Sequence, residues 1–504
     1  MILEYMLQGF QIIFSLSGFI TLTLSVFVGL IFGILPGLTA TMAMALLVGL
    51  TYSFEGTLAV LCLVGIYVGS ISGGSQAAIL LNIPGTPASA ATVVEGHPLA
   101  QKGQAGLAIF SANAGSFFGT IGSMLCVLLL TPILAQAALR FNAQEMFLLC
   151  VFGVAICGNI TSAGKPVKGW IAGFLGLMFS QVGIDTVTAM TRFSFGNVNL
   201  TAGISLLPVM IGLFGFPEIV AAFTPEKRKI IPLSKFSLGE GFGVIMRNKI
   251  NLLRSSLMGV AMGVIPGVGE DTGGWLSYWS CKRFTKGGGW GQGRIEGVIA
   301  SEAGSNAAKG GAFIPVLTLA IPGSAPAAVL LAALWMHGFR PGPLMMQDTP
   351  EFLYYIAVFL TCAAIMMWIQ ASVISRYTVR ILQVRGEILM PIIFICCVVG
   401  AFVISGRMFD VMLMFAFGIL GLVMKYMQYP FAPFLLGIIL GNMADENLRR
   451  ALILNDGSFA SFFYRPISLF FVIFILILVL PQIPVINKVI EKVGAAIRAK
   501  VSGS

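Results

Sequence analysis

The chain has 504 residues, of which 57% are apolar and 10% charged, with a formal net charge of +10. That composition excludes a soluble globular domain, and basic loops facing the cytoplasm account for the charge without any nucleic-acid partner. Sixty glycines and the lack of a two-residue apolar alternation argue against a β-barrel and for closely packed, interrupted spanning helices.

At roughly 20 residues per span, the chain has room for about 11 to 15 membrane segments, re-entrant pieces included. No Lys or Arg precedes Lys102, so the N-terminus lacks the basic region of a signal peptide. Residues 10–35 are predicted as a helix that meets Pro36-Gly37, with 38–52 as a separate apolar piece. Residues 57–82 form a helix ended by Pro84-Gly85, with a short stretch 86–95 behind it. Spans are predicted at 105–131, 144–160, 166–184 and 199–223. Segment 224–254 is basic, with seven Lys and Arg against Glu226 and Glu240, and marks a cytoplasmic linker. The order then repeats as 252–265, 268–280, 296–320 and 325–338, followed by 352–375, 388–405, 409–427 and 431–444. A last apolar run, 467–484, leads into a basic tail with Lys488, Lys492, Arg498 and Lys500.

The repetition is specific. Gly29, Gly33 and Pro36-Gly37 recur as Gly259, Gly263 and Pro266-Gly267, each 230 residues later, and Gly74-Ser75-Gln76-Ala77 matches Gly304-Ser305-Asn306-Ala307 at the same spacing. Asn82-Ile-Pro84-Gly85-Thr86 is echoed by Ala320-Ile-Pro322-Gly323-Ser324. Four Pro-Gly breaks in two matched pairs are the pattern of a repeat-built secondary transporter. Basic loops in one half match neutral loops in the other, as 281–294 does 53–56. The expected fold is therefore an all-α polytopic membrane protein of two inverted-topology repeats, elevator-like in its movement. The N-terminus would be periplasmic and the C-terminus cytoplasmic. The division expected is 1–223, 224–456 with its basic linker, and an extra helix and tail over 457–504.

A Pro-Gly break ends one half-helix and starts another, whose unpaired N–H groups and partial positive charge suit a carboxylate at membrane depth. Thr39, Thr41, Ser75, Gln76, Asn82, Gly85, Thr86, Ser89, Ser305, Asn306, Gly323 and Ser324 are the candidates for binding such a solute. Gly37, Gly267, Glu270, Asp271 and Glu302 are the candidates for cation coupling, with sodium as one ion they would hold. Buried charge in a membrane needs partners, so Glu302 and Lys309 are expected either to pair or to share water. Eight cysteines without ligand spacing and two histidines argue against a metal centre or disulfide framework. Gly158–Pro166 lacks the spacing and the Ser or Thr of a phosphate-binding loop, so no ATP hydrolysis and no enzyme activity are expected.

With these motifs in view, the chain resembles the large membrane subunit of the bacterial tripartite tricarboxylate transporters. The resemblance rests on Gly33–Thr41, Leu81–Thr92, Ile265–Asp271, Gly297–Glu302, Ile321–Ser324 and His337–Pro343. One departure is Thr272 after Glu270-Asp271, onto which no role is carried. The resemblance implies a protein of the inner membrane that imports citrate-like or other di- and tricarboxylates by sodium or proton symport. It would work with a small four-helix membrane subunit and a periplasmic solute-binding protein. Importing a trivalent anion against 100 mV costs about 7 kcal/mol, so three monovalent cations are needed for electroneutral entry unless the anion is protonated. The alternatives are a carboxylate or anion channel and a non-transport membrane assembly subunit.

Overall fold

The structure is a computed structural model that describes residues 2–162, 164–185, 187–221, 230–384, 386–403 and 405–482. Lys227, Arg228 and Lys229 of the linker, Arg385, and the basic residues of the C-terminal tail lie outside the described residues. Among the described residues, six helices are long and apolar enough to cross a membrane: Leu16–Ile34, Gly56–Leu81, Pro87–Ala138, Ala143–Thr161, Glu351–Ile374 and Met408–Tyr426. Six shorter apolar helices accompany them. The chain is a mostly helical, multi-pass membrane protein.

Two compact units form, and neither coincides with a sequence half. One comprises Met1–Leu139 and Ser205–Val423, the other Arg140–Ile204 and Met424–Ser504.

In the first unit, helices α1 (Ile2–Phe14) and α2 (Leu16–Ile34) are separate where one helix over 10–35 was expected. Ser15 is the cause: its extended backbone and its hydroxyl, accepting from the Gly18 amide at 3.0 Å, cap a new helix. There follow α3 (Ala40–Val48), α4 (Gly56–Leu81), α5 (Ala90–Leu99) and α6 (Ala105–Ala138). The second sequence half contributes α7 (Lys249–Val264), α8 (Gly269–Phe284), α9 (Ile295–Leu319), α10 (Ala325–Met336) and α11 (Glu351–Ile374).

The basic linker is not all loop. Leu238–Arg247 is helical, burying Gly241 and Ile245 while Leu238, Phe242 and Met246 stay exposed. Instead of one span over 199–223, there are short helices at Val198–Thr201, Leu206–Met210 and Phe216–Ala221, with a wide π-type turn at Ile211–Gly215. Pro217 lacks the N–H that a regular helix needs there, which favours the wide turn.

Helix α9 is the centre of this unit. It is 25 residues long yet too polar to count among the spanning helices, because it carries Glu296, Glu302 and Lys309. Nearly all of it is buried, so its polar groups meet other helices instead of lipid. Close approach is set by glycine. A Cβ on Gly33 would stand 2.2 Å from the Ser70 carbonyl oxygen, and one on Gly263 would stand 2.1 Å from that of Ala308.

The second unit holds Ala143–Thr161, Pro166–Ser180, Phe431–Leu454 and Pro466–Val479, with a short antiparallel pair β1 (Gly183–Ile184) and β2 (Thr191–Arg192). Helix Phe431–Leu454 runs ten residues beyond the apolar stretch expected to end at 444. Its extension is charged and self-paired: Arg449 bonds Asp445 at 3.1 Å, and Arg450 bonds Glu446.

Candidate functional site

All four Pro-Gly breaks are present as breaks, and all lie in the first unit. Helix α2 stops at Leu35; Gly37 has a φ of +93°, and Thr39 caps α3 by accepting from the Met42 amide at 3.1 Å. Helix α7 stops at Ile265; Gly267 and Gly269 take positive φ, and α8 begins. Helices α4 and α9 end alike, with Asn82 (φ 62°) and Ala320 (φ 55°) in the left-handed region. Such a conformation is unfavourable for alanine and is tolerated here as a helix stop.

The breaks lie together in pairs. A Cβ on Gly85 would stand 2.1 Å from the Gly33 carbonyl oxygen, and one on Gly323 would stand 2.0 Å from that of Gly263. The same glycines lie over Gly74 and Ala312 respectively. These contacts relate α4 to α9 by 238 residues, not by the 230 that relates α2 to α7. The expected match of Gly74–Ala77 with Gly304–Ala307 is therefore corrected: the second stretch lies eight residues, about two turns, earlier in its helix.

Two buried polar clusters result. In the first, Glu302 accepts from the Thr92 hydroxyl at 2.5 Å, the Ser116 hydroxyl at 3.0 Å and the Asn306 amide at 3.2 Å. Asn306 Oδ1 in turn accepts from Ser72 at 2.8 Å and from Lys309 Nζ at 2.6 Å. Every member is buried. Glu302 and Lys309 thus share Asn306 as a bridge instead of forming the direct pair considered from sequence.

The second cluster joins three helices at the Ser324 tip. Tyr67 of α4 donates to Glu270 of α8, and the Ser324 hydroxyl donates to the same oxygen, Oε1, at 2.9 Å. Asp271, its neighbour, is exposed on the face that carries Trp275 and Trp279, so the two carboxylates point to different surroundings.

Other candidates are placed as follows. Thr86 and Ser89 are buried over Gly74, and the Ser89 hydroxyl donates to the Thr86 carbonyl at 2.8 Å. The Thr86 hydroxyl faces the Ser89 amide across a capping box, and its proton has no acceptor. Thr41 is buried within α3. Ser75 donates to the Ser72 carbonyl at 2.8 Å, and Ser305 to that of Glu302 at 3.3 Å. Gln76 lies apart from both clusters, donating to the Ala371 carbonyl at 3.4 Å and accepting from Thr378.

Residues that sequence reasoning passed over also enter. Tyr67, Ser72, Thr92 and Ser116 complete the clusters. Glu95 fastens α5 to the loop before α9: its carboxylate accepts from the Tyr278 hydroxyl at 2.9 Å and from the amides of Gly291 (2.6 Å), Gly293 (2.8 Å) and Arg294 (2.8 Å). The signal available was a carboxylate near a glycine-rich loop, which is weak without contacts.

Broken helices that enclose buried carboxylates, in a chain with several long apolar helices, define a polytopic membrane protein with a polar interior. The chain belongs to the tripartite tricarboxylate transporter TctA family, whose pattern matches residues 19–436. It is thus the membrane component of a transporter and not an enzyme. It is 32% identical over 462 residues to an uncharacterized 52.8 kDa protein in the TAR-I ttuC′ 3′ region of Agrobacterium vitis, covering 91% of this chain and 92% of that one. It is also 33% identical over 211 residues to an uncharacterized protein in the TAR-II ttuC′ 3′ region of the same organism, covering 42% of this chain and 87% of that one. No solved structure matches.

Proposed function

We propose that this chain imports an organic di- or tricarboxylate by symport with sodium or protons, in the inner membrane of a bacterium. It works with a small four-helix membrane subunit and a periplasmic binding protein that delivers the solute. The observation that carries this reading, beside the family, is the pairing of four broken-helix tips around buried hydroxyls and carboxylates. Half-helix N-termini and hydroxyls favour a carboxylate. Glu302, ringed by two hydroxyls and an amide, and the exposed Asp271 are the candidates for coupling.

The two sequence halves act as inverted repeats, with the tips moving together in an elevator-like step. Supporting this are the matched contacts of Gly33 with Ser70 and of Gly263 with Ala308, and of Gly85 and Gly323 with their partners. In this arrangement the N-terminus is periplasmic and 281–294 cytoplasmic; a single cysteine placed at Lys286 should be labelled only from the cytoplasmic side.

The test is uptake into proteoliposomes holding the complete transporter with its binding protein, under imposed sodium or proton gradients. Carboxylate uptake driven by one of them is expected, and Asp271→Asn should depress it without reducing membrane insertion. Uptake indifferent to both gradients, or flux at channel rates, overturns the symport reading.

A further inference from the structure

Thr86 and Ser324 follow the two Ile-Pro-Gly motifs, 238 residues apart; Thr86 caps the short 3₁₀ turn Pro87–Ser89 that leads into α5, and Ser324 caps α10. Their surroundings differ. The Ser324 hydroxyl accepts from the Ala327 amide at 3.3 Å, donates to Glu270 Oε1 at 2.9 Å and lies 2.9 Å from the Tyr67 hydroxyl. A carboxylate is thus held at this helix start by two hydroxyls. The Thr86 residue is only 1% exposed; its Oγ1 faces the Ser89 amide across a capping box, and its O–H has no acceptor. It lies against the bare Cα of Gly74, where a Cβ would come within 2.5 Å of it. A buried hydroxyl whose proton finds no acceptor is unfavourable and calls for a reason.

The reason lies in the residues that stand where Ser324 finds its partners. By the spacings that the glycine contacts define, Ala40 corresponds to Glu270 and Ser305 to Tyr67. In register with Glu270, the first half thus has a residue that carries no carboxylate. A short hydroxyl, turned to the Glu302 carbonyl of its own helix at 3.3 Å, replaces the phenol. The first tip keeps the hydroxyl that binds a carboxylate but supplies no carboxylate of its own.

We propose that Glu270 is a tethered carboxylate resident at the Ser324 tip, and that the Thr86 tip takes one carboxylate group of the transported solute in the same manner. The proposal rests on the carboxylate-transporter reading and sharpens it. It assigns solute recognition to the first Ile-Pro-Gly tip and takes Glu270 out of the set of cation ligands. The solute's carboxylate accepts from the Thr86 hydroxyl, as the Glu270 carboxylate accepts from that of Ser324. The two tips then hold carboxyl groups in like positions, one fixed and one delivered.

The test uses the complete reconstituted transporter and whichever of citrate, malate and succinate the wild type takes up fastest. Thr86→Val, which keeps the shape and removes the hydroxyl, should raise KM for that solute about tenfold or more. Thr86→Ser, which keeps the hydroxyl, should raise KM far less than Thr86→Val. Glu270→Ala should lower the Tm of the purified protein, and millimolar formate should raise it again. Formate should do so neither for wild type nor for the Glu270→Ala/Ser324→Ala double variant. A wild-type KM in Thr86→Val, or a Glu270→Ala protein indifferent to formate, overturns the proposal while leaving carboxylate transport standing. If wild type takes up none of the three solutes, the transport reading falls instead, and the formate response still decides the role of Glu270. Should Glu270→Ala yield no folded protein, the comparison of Thr86→Val with Thr86→Ser decides alone.

Discussion

Lys309 and Glu302 lie seven residues apart on one buried helix and do not touch; Asn306 stands between them, accepting from Lys309 Nζ at 2.6 Å and donating to Glu302 Oε2 at 3.2 Å. The amide serves both charges because one end accepts and the other donates. Asn306→Leu should therefore leave two buried ionisable groups without their shared partner, at a cost of about 3–5 kcal/mol. Replacing Glu302, Asn306 and Lys309 together by Leu, Leu and Met should recover most of that loss, since an apolar set needs no compensation. Thermal unfolding of the purified variants reads both effects. A triple variant no more stable than Asn306→Leu would show that the cluster acts by shape and not by charge.

Glu95 provides a separate test, outside the two clusters. Three backbone amides and one phenol converge on its side chain, two donors on each oxygen, an arrangement that needs an acceptor at both positions. Glu95→Gln puts an NH2 group against amide donors and should cost about 1–3 kcal/mol. The loss is local, so limited trypsin digestion in membranes should show faster cleavage at Lys286 and Arg294. Unchanged cleavage would mean that the loop is held by other contacts.

How much of this could be read from residues alone depends on how local the signal was. Pro36-Gly37 and Pro266-Gly267 break helices by their own covalent geometry, so their effect was visible without any partner. The charges of Glu302 and Lys309 also marked their helix as one that needs polar partners. The register between those helices was misread because Gly-Ser-Gln-Ala and Gly-Ser-Asn-Ala look alike, whereas packing is set by which glycine meets which carbonyl. Tyr67 and Glu270 are 203 residues apart in the chain, and nothing in either neighbourhood announces the other. Ser15 ended a helix that apolar periodicity alone would have continued.

The second unit offers a prediction in pH. Asp185 is held well below the usual carboxylate range by the Thr188 hydroxyl and the Val187 amide, with Arg192 and Arg449 adding their charge. A depressed folded-state value means that the stabilisation is complete above the ordinary Asp range, near pH 4, and is lost as pH falls toward the lower folded value. Wild type should therefore lose thermal stability on acidification below about pH 4. Asp185→Asn should be less stable at neutral pH, with a shallower dependence on acid. Parallel pH profiles for the two proteins would exclude Asp185 as a contributor.

Glycine at the helix crossings and glycine at the breaks should respond to substitution very differently. A Cβ on Gly33 would press on the Ser70 carbonyl oxygen at 2.2 Å, and one on Gly263 on that of Ala308 at 2.1 Å. Both obstacles are helix backbone and cannot rotate aside, so Gly33→Ala and Gly263→Ala should each force helices apart at about 3 kcal/mol or more. At Gly37 a Cβ would meet nothing within 4 Å, and only the φ of +93° opposes it. Gly37→Ala should cost about 1–2 kcal/mol, the penalty of left-handed backbone for an L-residue. Because Gly37 sits in the break itself, that variant should fold and be limited in transport instead. Folded yield by fluorescence-detected size exclusion, compared with uptake per folded molecule, separates the two kinds of glycine. Equal losses of yield at all three positions would contradict the division.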